Sequence, residues 1–506
     1  MKTTRPTNTP TVCFPEPLLF ENLGDRAVVA DFSAGHLSSD GGRLWLRQLD
    51  CSLGLTRQLS RCFHDRRDPD AIEHTVQHLV AQRVLGLAIG YEDLNDHNRL
   101  RHDPLLAVAA GKTDPLGHDR RDPAQRGQAL ASAPTLNRLE LTNQLADERY
   151  HKIDADHDAI ADLLLDWGVL TVDKDTREVV VDLDATGSLV HGQQEGRFWH
   201  GHYGDYCYLP LYAFIGAVPV WAQLRTADRD ASDGAVAALT KIVAAIRRRC
   251  PQARIIVRAD TGLRHAEAWL RPREGGFCRE ELLAWCEDQP AHLGPVDYCL
   301  GLARNTRLVE LLGNARGDAR ARACLTGGTA RVFTEFAYQT RASWSRARRV
   351  IGKAEITGGE DNPRFVVTNL PRDGLDGDTV AERFWPAALS EQLYCARGDM
   401  ENRIKEQQLD LFGTRTSTHW LASNQLRLWF SALALFLLER FRTLALRGTE
   451  LAQATAGTIR VRLLKVGALV RVSVRRVSVQ FSGAFPLAGV LVQAQRALRA
   501  LPMAAG

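Results

Sequence analysis

The stretch Glu178-VVVDLDAT-Gly187 decides how this chain is read. Three successive valines favour extended backbone, and the Ala-Thr-Gly end supplies a turn. Side chains two apart on a strand leave the same face, so Asp182 and Asp184 point together. Working outward, Tyr206-CYLPLYAFI-Gly216 and Val218-PVWAQL-Arg225 read as a hairpin, and Gly234-AVAALTKIVAAI-Arg247 as an amphipathic helix. Arg254-IIVRA-Asp260 is an apolar strand ending in an acid. A helix around Arg279-EELLAWCED and a strand at Tyr298-CLGLA follow. The order β-β-β-α-β-α-β predicts an α/β protein with a mixed sheet. Asp260 then lies at the C-terminal end of its strand, where open α/β sheets place their ligands.

The rest of the chain is read around that core. Residues 1–175 are expected to be mainly helical, with a helix over Asp70–Tyr91. Residues 176–325 form the first part of the core, and 326–380 alternate as a β-rich insertion. Residues 381–446 return to helix and complete the core, and 447–506 form a basic tail with two short strands. The length of 506 residues and the 10 Trp exclude a disordered chain. The longest apolar stretch, Trp429–Leu438, is too short for a bilayer that needs about 20 residues, so no membrane is expected. The opening MKTTRPTNTP lacks the apolar core of a secretory signal. Ten cysteines without a CxxC pair argue for a reducing compartment. No P-loop is present, so no nucleotide cofactor is implied.

Charge is segregated rather than large in sum. Arg247–Arg249 form one basic cluster; Arg341, Arg346, Arg348, Arg349 and Lys353 form another. After Glu450 there is no acidic residue at all. Such segregation suits a polyanion such as nucleic acid.

A third carboxylate joins Asp184 and Asp260. In Tyr394-CARGDMENRIKEQ-Gln408, helical spacing places Tyr394, Arg397, Glu401, Lys405 and Gln408 on one polar stripe. Two strand aspartates and one helix glutamate can hold two divalent ions, which activate an attacking oxygen and stabilise a leaving one at a phosphodiester. Arg397 and Lys405 can hold phosphates. Acids on the first and fourth strands and on a late helix match the ribonuclease H-like order.

These strings, with Gly90-YEDLNDHNRLRHDP-Leu105, Ser132-APTLNRLE-Leu141, Val181-DLDATGSLVHGQQEG-Arg197, Val257-RADTG-Leu263 and Gly301-LARN-Thr306, resemble bacterial insertion-sequence transposases of the DDE superfamily, DDE-domain group 1. The resemblance spans most of the chain. It implies a ribonuclease H-like mixed-sheet catalytic core with a β-rich insertion, preceded by a mainly helical N-terminal region for end binding and dimerisation. It implies cut-and-paste chemistry with two Mg²⁺ or Mn²⁺ ions: cleavage at transposon ends, then transfer of the 3′-hydroxyl to target DNA. Expected partners are double-stranded DNA, as transposon ends and target, and a second copy of the chain. A cytoplasmic, nucleoid-associated location follows. The carboxylates carried over are Asp184, Asp260 and Glu401, with Asp182 as rival first ligand. Tyr394 and Arg397 match the Tyr-x2-Arg-x3-Glu signature. Gln408 replaces its final Lys, leaving Lys405 to supply that charge.

Trp344, Arg346, Arg348 and Arg349 would touch DNA, with a core role for Trp344 as the competing reading. Phe198, Trp199, His200, His202 and Tyr203 either line DNA near the metals or pack on the sheet, and His265 either caps or packs. Two other functions remain open on these residues: a nuclease that cuts without joining, and a DNA-binding descendant without catalysis.

Overall fold

The valine run becomes a central strand of a nine-stranded mixed sheet in the computed structural model, which describes residues 17–141, 152–201, 203–260, 276–290, 294–372 and 381–502. Its strands are β1 (Glu178–Ala185), β2 (Leu211–Ile215), β3 (Val218–Gln223), β4 (Arg254–Ala259), β5 (Val296–Leu302), β6 (Ala330–Tyr338), β7 (Arg348–Thr357), β8 (Glu360–Asp361) and β9 (Arg364–Thr368). They lie in the order β3-β2-β1-β4-β5-β9-β7-β6, with β8 beside β7. The pairs β1/β4 and β4/β5 are parallel, and the other pairings are antiparallel.

Alternation along the strands divides the residues between two faces. Val179, Val181 and Leu183 of β1 join Ile255, Val257 and Ala259 of β4 in the larger core. Helix α1 (Ala235–Arg249) closes that core with Ala238, Leu239, Ile242, Val243 and Ile246, an i, i+3, i+4 stripe. The opposite face carries a smaller cluster of Ile256, Cys299, Ile351, Val366, Leu370, Phe384 and Leu389. Asp182 and Asp184 belong to this second face, because Val180 between them and the strand's start packs there.

Of the stretch expected as a β-rich insertion, the described residues 326–372 carry β6 to β9, and these strands belong to the large sheet. Strand β9 pairs with β5, Cys299 opposite Thr368, and β7 and β6 continue the same sheet. The reason lies in their pattern: Val350, Ala354, Phe365 and Val367 enter the larger core while Ile351 and Val366 enter the smaller one. Strands buried on both faces extend a sheet.

The arginine cluster on this extension also differs from expectation. Trp344 is buried, edge-on to Tyr338 with ring centroids 5.8 Å apart, and the Arg348 guanidinium lies 5.2 Å over its ring. Arg348 is itself buried and donates to Glu280 (2.7 and 3.2 Å) and Glu287 (2.7 and 2.9 Å) on helix α2 (Glu280–Glu287). Arg349 donates to Glu335 and to the carbonyls of Leu370 and Phe384. Arg346 is half-exposed and pairs with Asp288 at 3.2 Å. Trp344, Arg348 and Arg349 therefore hold the sheet together and are corrected from DNA contacts to structural residues. Arg346 is also committed to an ion pair.

Two compact units partition the chain: Met1–Gly54, Pro69–Leu136 and Phe441–Gly506 in one, Leu55–Asp68 and Asn137–Arg440 in the other. The large sheet lies wholly in the second. In the first, strand His36–Ser38 pairs with Ala468–Ser473, which pairs in turn with Arg476–Phe481. The expected linear split into N-terminal region and tail is thus replaced by one unit drawn from both. The expected N-terminal helices are present, but Leu18–Leu23 and Arg26–Ala30 form a hairpin that periodicity did not predict. The helix expected from Asp70 starts at Val76, where the Thr75 hydroxyl caps it by accepting from the His78 amide at 3.2 Å. Helix Leu421–Ala445 is long and apolar enough by composition to cross a membrane, yet most of it is buried.

The buried arginine generates two expectations. Arg348→Ala strands two carboxylates without their cation and should cost about 3–5 kcal/mol in denaturant unfolding at pH 7. Hydrogen bonds from Arg348, ahead of those from Ser345, hold the Glu280 carboxyl down at about 2. Its contribution is therefore present above its ordinary value of 4.5 and lost as pH falls towards 2. Thermal unfolding between pH 5 and 2 should fall less steeply for Glu280→Gln than for the wild type.

Candidate active site

Parallel pairing of β1 with β4 places Leu183 opposite Ala259. One residue further, Asp184 and Asp260 stand side by side at the C-terminal ends of the two strands. Glu401 arrives from helix α3 (Gly398–Lys405). That helix is the regular middle of a broken segment, with wide π-type turns at Leu389–Tyr394 before it and Glu406–Asp410 after it. Such turns shift helical register and recur at functional sites.

Two of the three acids, Asp260 and Glu401, are linked by residues of the same segment. The Tyr394 hydroxyl donates to Asp260 Oδ1 at 2.7 Å, and Arg397 Nη2 donates to Oδ2 at 2.7 Å. Arg397 Nε lies 3.7 Å from Glu401 Oε1, and its guanidinium stacks 4.4 Å from the Tyr394 ring centre. Arg397 thus bridges two of the carboxylates. Asp184 receives no such cation: burial first, then the charges of Glu401 and Asp260, push its carboxyl up to about 7. An acid held so far above its ordinary 3.8 reports negative charge gathered without enough compensation.

Asp182 has a different occupation. Its two oxygens accept from Arg258 Nε at 2.5 Å and Nη2 at 2.8 Å, and Arg258 also donates to the Leu393 carbonyl. Arg258 faces Asp182 directly in the β1/β4 register. The geometry therefore assigns Asp182 to a buried ion pair, which corrects its place among the metal ligands and leaves Asp184 as the strand carboxylate of the site.

The donor set of Asp184, Asp260 and Glu401 is three hard oxygens from three elements, which suits a hard divalent cation. Among the described residues no group of three or more His, Cys, Asp or Glu side chains is placed so that it could hold a metal ion without some side chain moving. The raised Asp184 carboxyl is the observation that fits these residues to a cation, since a cation relieves that repulsion. Lys405 is exposed on the same helix, one turn beyond Glu401, and has no side-chain partner among the described residues. Gln408 lies in the wide turn that follows, half-buried.

Of the aromatic residues after β1, Trp199 and Phe198 are exposed on the short strand Phe198–His200. The Tyr203 hydroxyl accepts from the Gly187 amide at 2.7 Å, three residues beyond Asp184. A Cβ at Gly187 would come within 2.5 Å of that ring, so only glycine fits there. His202 and His265 lie outside the described residues. Sequence reading missed Arg258 and Tyr212. Tyr212 faces Asp184 across the β1/β2 pair, is fully buried, and among the described residues has no partner for its hydroxyl. Nothing in the pattern of its strand separates it from an ordinary core tyrosine.

The crowding makes a prediction about stability. A carboxyl whose pKa is raised by folding contributes fully below its unfolded value and loses that contribution as pH rises through the folded one. In a chelator, the unfolding temperature of the wild type should drop by a few degrees between pH 4 and 7 relative to Asp184→Asn. Adding Mg²⁺ at pH 7 should close the gap by stabilising only the wild type.

No curated protein matches the chain. A family model described as transposase DDE domain group 1 matches residues 20–503, which takes in both units and every residue of the site. With acids from two adjacent strand ends and a late helix joined by Tyr394 and Arg397, and nearly the full length matched, the chain belongs to the transposase DDE domain group 1 family.

Proposed function

We propose that this transposase cuts DNA at the ends of its element and joins the freed 3′-hydroxyl to target DNA, using two Mg²⁺ or Mn²⁺ ions on a ribonuclease H-like core. One observation carries the reading: Asp184, Asp260 and Glu401 come from three separate elements to one place, where the Asp184 carboxyl is held up to about 7. The strand order β3-β2-β1-β4-β5, with β2 antiparallel to both its neighbours and β1, β4 and β5 parallel, supports the ribonuclease H-like assignment. Double-stranded DNA is the proposed substrate, and a second copy of the chain the proposed partner, because two ends must be held at once.

Asp184, Asp260 and Glu401 would hold the ions. Bound divalent ions would supply an activated oxygen nucleophile and charge neutralisation at the phosphodiester. The chain's own residues do the rest. Tyr394 and Arg397 fix both oxygens of Asp260 and so set the direction of its lone pairs. Arg397 also keeps positive charge beside Glu401, and Lys405 offers a free ammonium to a flanking phosphate. The Asp182–Arg258 pair is neutral overall and walls the site from below without adding charge to it.

The test is cleavage and joining of a duplex copied from the element's own end. Asp184→Asn, Asp260→Asn and Glu401→Gln should each lower cleavage about a thousand-fold or more, the several kcal/mol that metal-ion catalysis supplies, while DNA binding persists. Lys405→Ala should raise KM about ten-fold with little change in kcat. Cleavage without joining would replace the reading with a nuclease. Binding without either reaction, in Mg²⁺ and in Mn²⁺, would replace it with a non-catalytic DNA-binding protein.

A further inference from the structure

Arg346, Arg348 and Arg349, which the charge pattern marked for DNA, are committed to carboxylates within the fold. The C-terminal hairpin is the opposite case. Strands Ala468–Ser473 and Arg476–Phe481 pair in register, with Arg471 opposite Ser478 and Ser473 opposite Arg476. Alternation then sorts the hairpin cleanly. One face carries Arg471, Ser473, Arg476, Ser478 and Gln480, with Leu469 at its base opposite Gln480; the other carries Val470, Val472, Val477, Val479 and Phe481.

The apolar face anchors the ribbon at its base. Ala468 and Val470 are buried, and the Phe481 ring lies edge-on to Trp45 at 5.7 Å. The third strand, His36–Ser38, pairs only as far as Val470. From Arg471 outward no further strand among the described residues lies beside the ribbon, and Val474 at its tip is fully exposed. Arg471, Arg475 and Arg476 are exposed, and no described residue pairs with their guanidinium groups. No acid follows Glu450 in the sequence, so nothing on the ribbon offsets them.

We propose that this ribbon, Arg471–Ser478, enters the major groove of duplex DNA and reads the element's end with its Arg/Ser/Gln face. The major groove, about 12 Å wide, admits a two-stranded ribbon, and Arg and Ser or Gln are the side chains that read guanine and adenine edges there. Arg475, at the turn, meets backbone phosphate. The assignment rests on the transposase reading for the identity of its DNA, and it places end recognition on the C-terminal ribbon rather than on the arginines of residues 341–349.

The experiment measures binding of the full chain by anisotropy, with Ca²⁺ in place of Mg²⁺. The probes are a 30-bp duplex from the element's end and a scrambled duplex of the same composition, across a KCl series. Arg471→Ser with Arg476→Ser should weaken end binding about 10- to 100-fold and abolish preference over the scrambled duplex. Arg475→Ala should weaken both duplexes alike and lower the salt slope by about one. Arg471→Lys with Arg476→Lys should keep the salt slope and lose the preference, since lysine lacks the planar fork. All three variants alter exposed side chains and should unfold within about 2 °C of the wild type.

Unchanged affinity and slope in the double serine variant would overturn the proposal, as would stronger binding to single-stranded RNA or anionic vesicles than to duplex DNA. A wild type that cleaves normally alongside such an unchanged variant removes the ribbon alone. Ribbon-dependent binding by a protein that never cleaves removes the catalytic reading and leaves the ribbon.

Discussion

Parallel pairing of Glu178–Ala185 with Arg254–Ala259 is the constraint on which the rest of the site depends. It sets Leu183 against Ala259, and so brings Asp184 and Asp260 to the same edge at the same height. The same register sets Arg258 against Asp182. One ladder therefore sets Asp184 beside Asp260, whose carboxylate pairs with Arg397, and keeps Asp182 one step inside, paired with Arg258. Shifting it by a single residue would turn every one of these side chains to the other face. The large apolar core on the far side, built from Val179, Val181, Ile255 and Val257, makes that shift prohibitive.

The helix that brings Glu401 answers to the same edge. Its wide turns at Leu389–Tyr394 and Glu406–Asp410 keep it short, and Leu389 and Phe384 fasten its approach to the smaller core. Tyr394 and Arg397 then reach back to Asp260. Arg397 bridges Asp260 and Glu401, and its charge lowers the Asp184 carboxyl too, but burial and the two neighbouring acids outweigh it there.

Much of this was legible from residues. The strands at 178–185 and 254–259 follow from β-branched runs, and the helix at 235–249 from its small-residue stripe. Asp260 was marked by its place at a strand end. Strand pattern alone does not separate Asp182 from Asp184, because two residues on one strand face share their local properties; the family resemblance put Asp184 first and Asp182 as its rival. An arginine in the middle of a buried strand, as Arg258 is, must find a carboxylate, and that signal pointed to Asp182. The cluster at 341–349 was misread for a related reason. Its acids, Glu280, Glu287 and Glu335, lie elsewhere in the sequence, so a linear charge count shows cations without their partners. In the tail, where no acid follows Glu450, Arg462 pairs back to Glu450 at 2.7 Å, while Arg471, Arg475 and Arg476 have no partner among the described residues. Periodicity likewise cannot tell strands that extend a sheet from strands that form a separate one; only their burial on both faces does.

Diffraction from Mn²⁺-soaked crystals at the manganese edge tests the central claim most directly. The account predicts an anomalous peak bounded by Asp184, Asp260 and Glu401, with Asp182 still paired to Arg258. A peak ligated by Asp182, or manganese bound elsewhere while Arg397 still bridges Asp260 and Glu401, would contradict it.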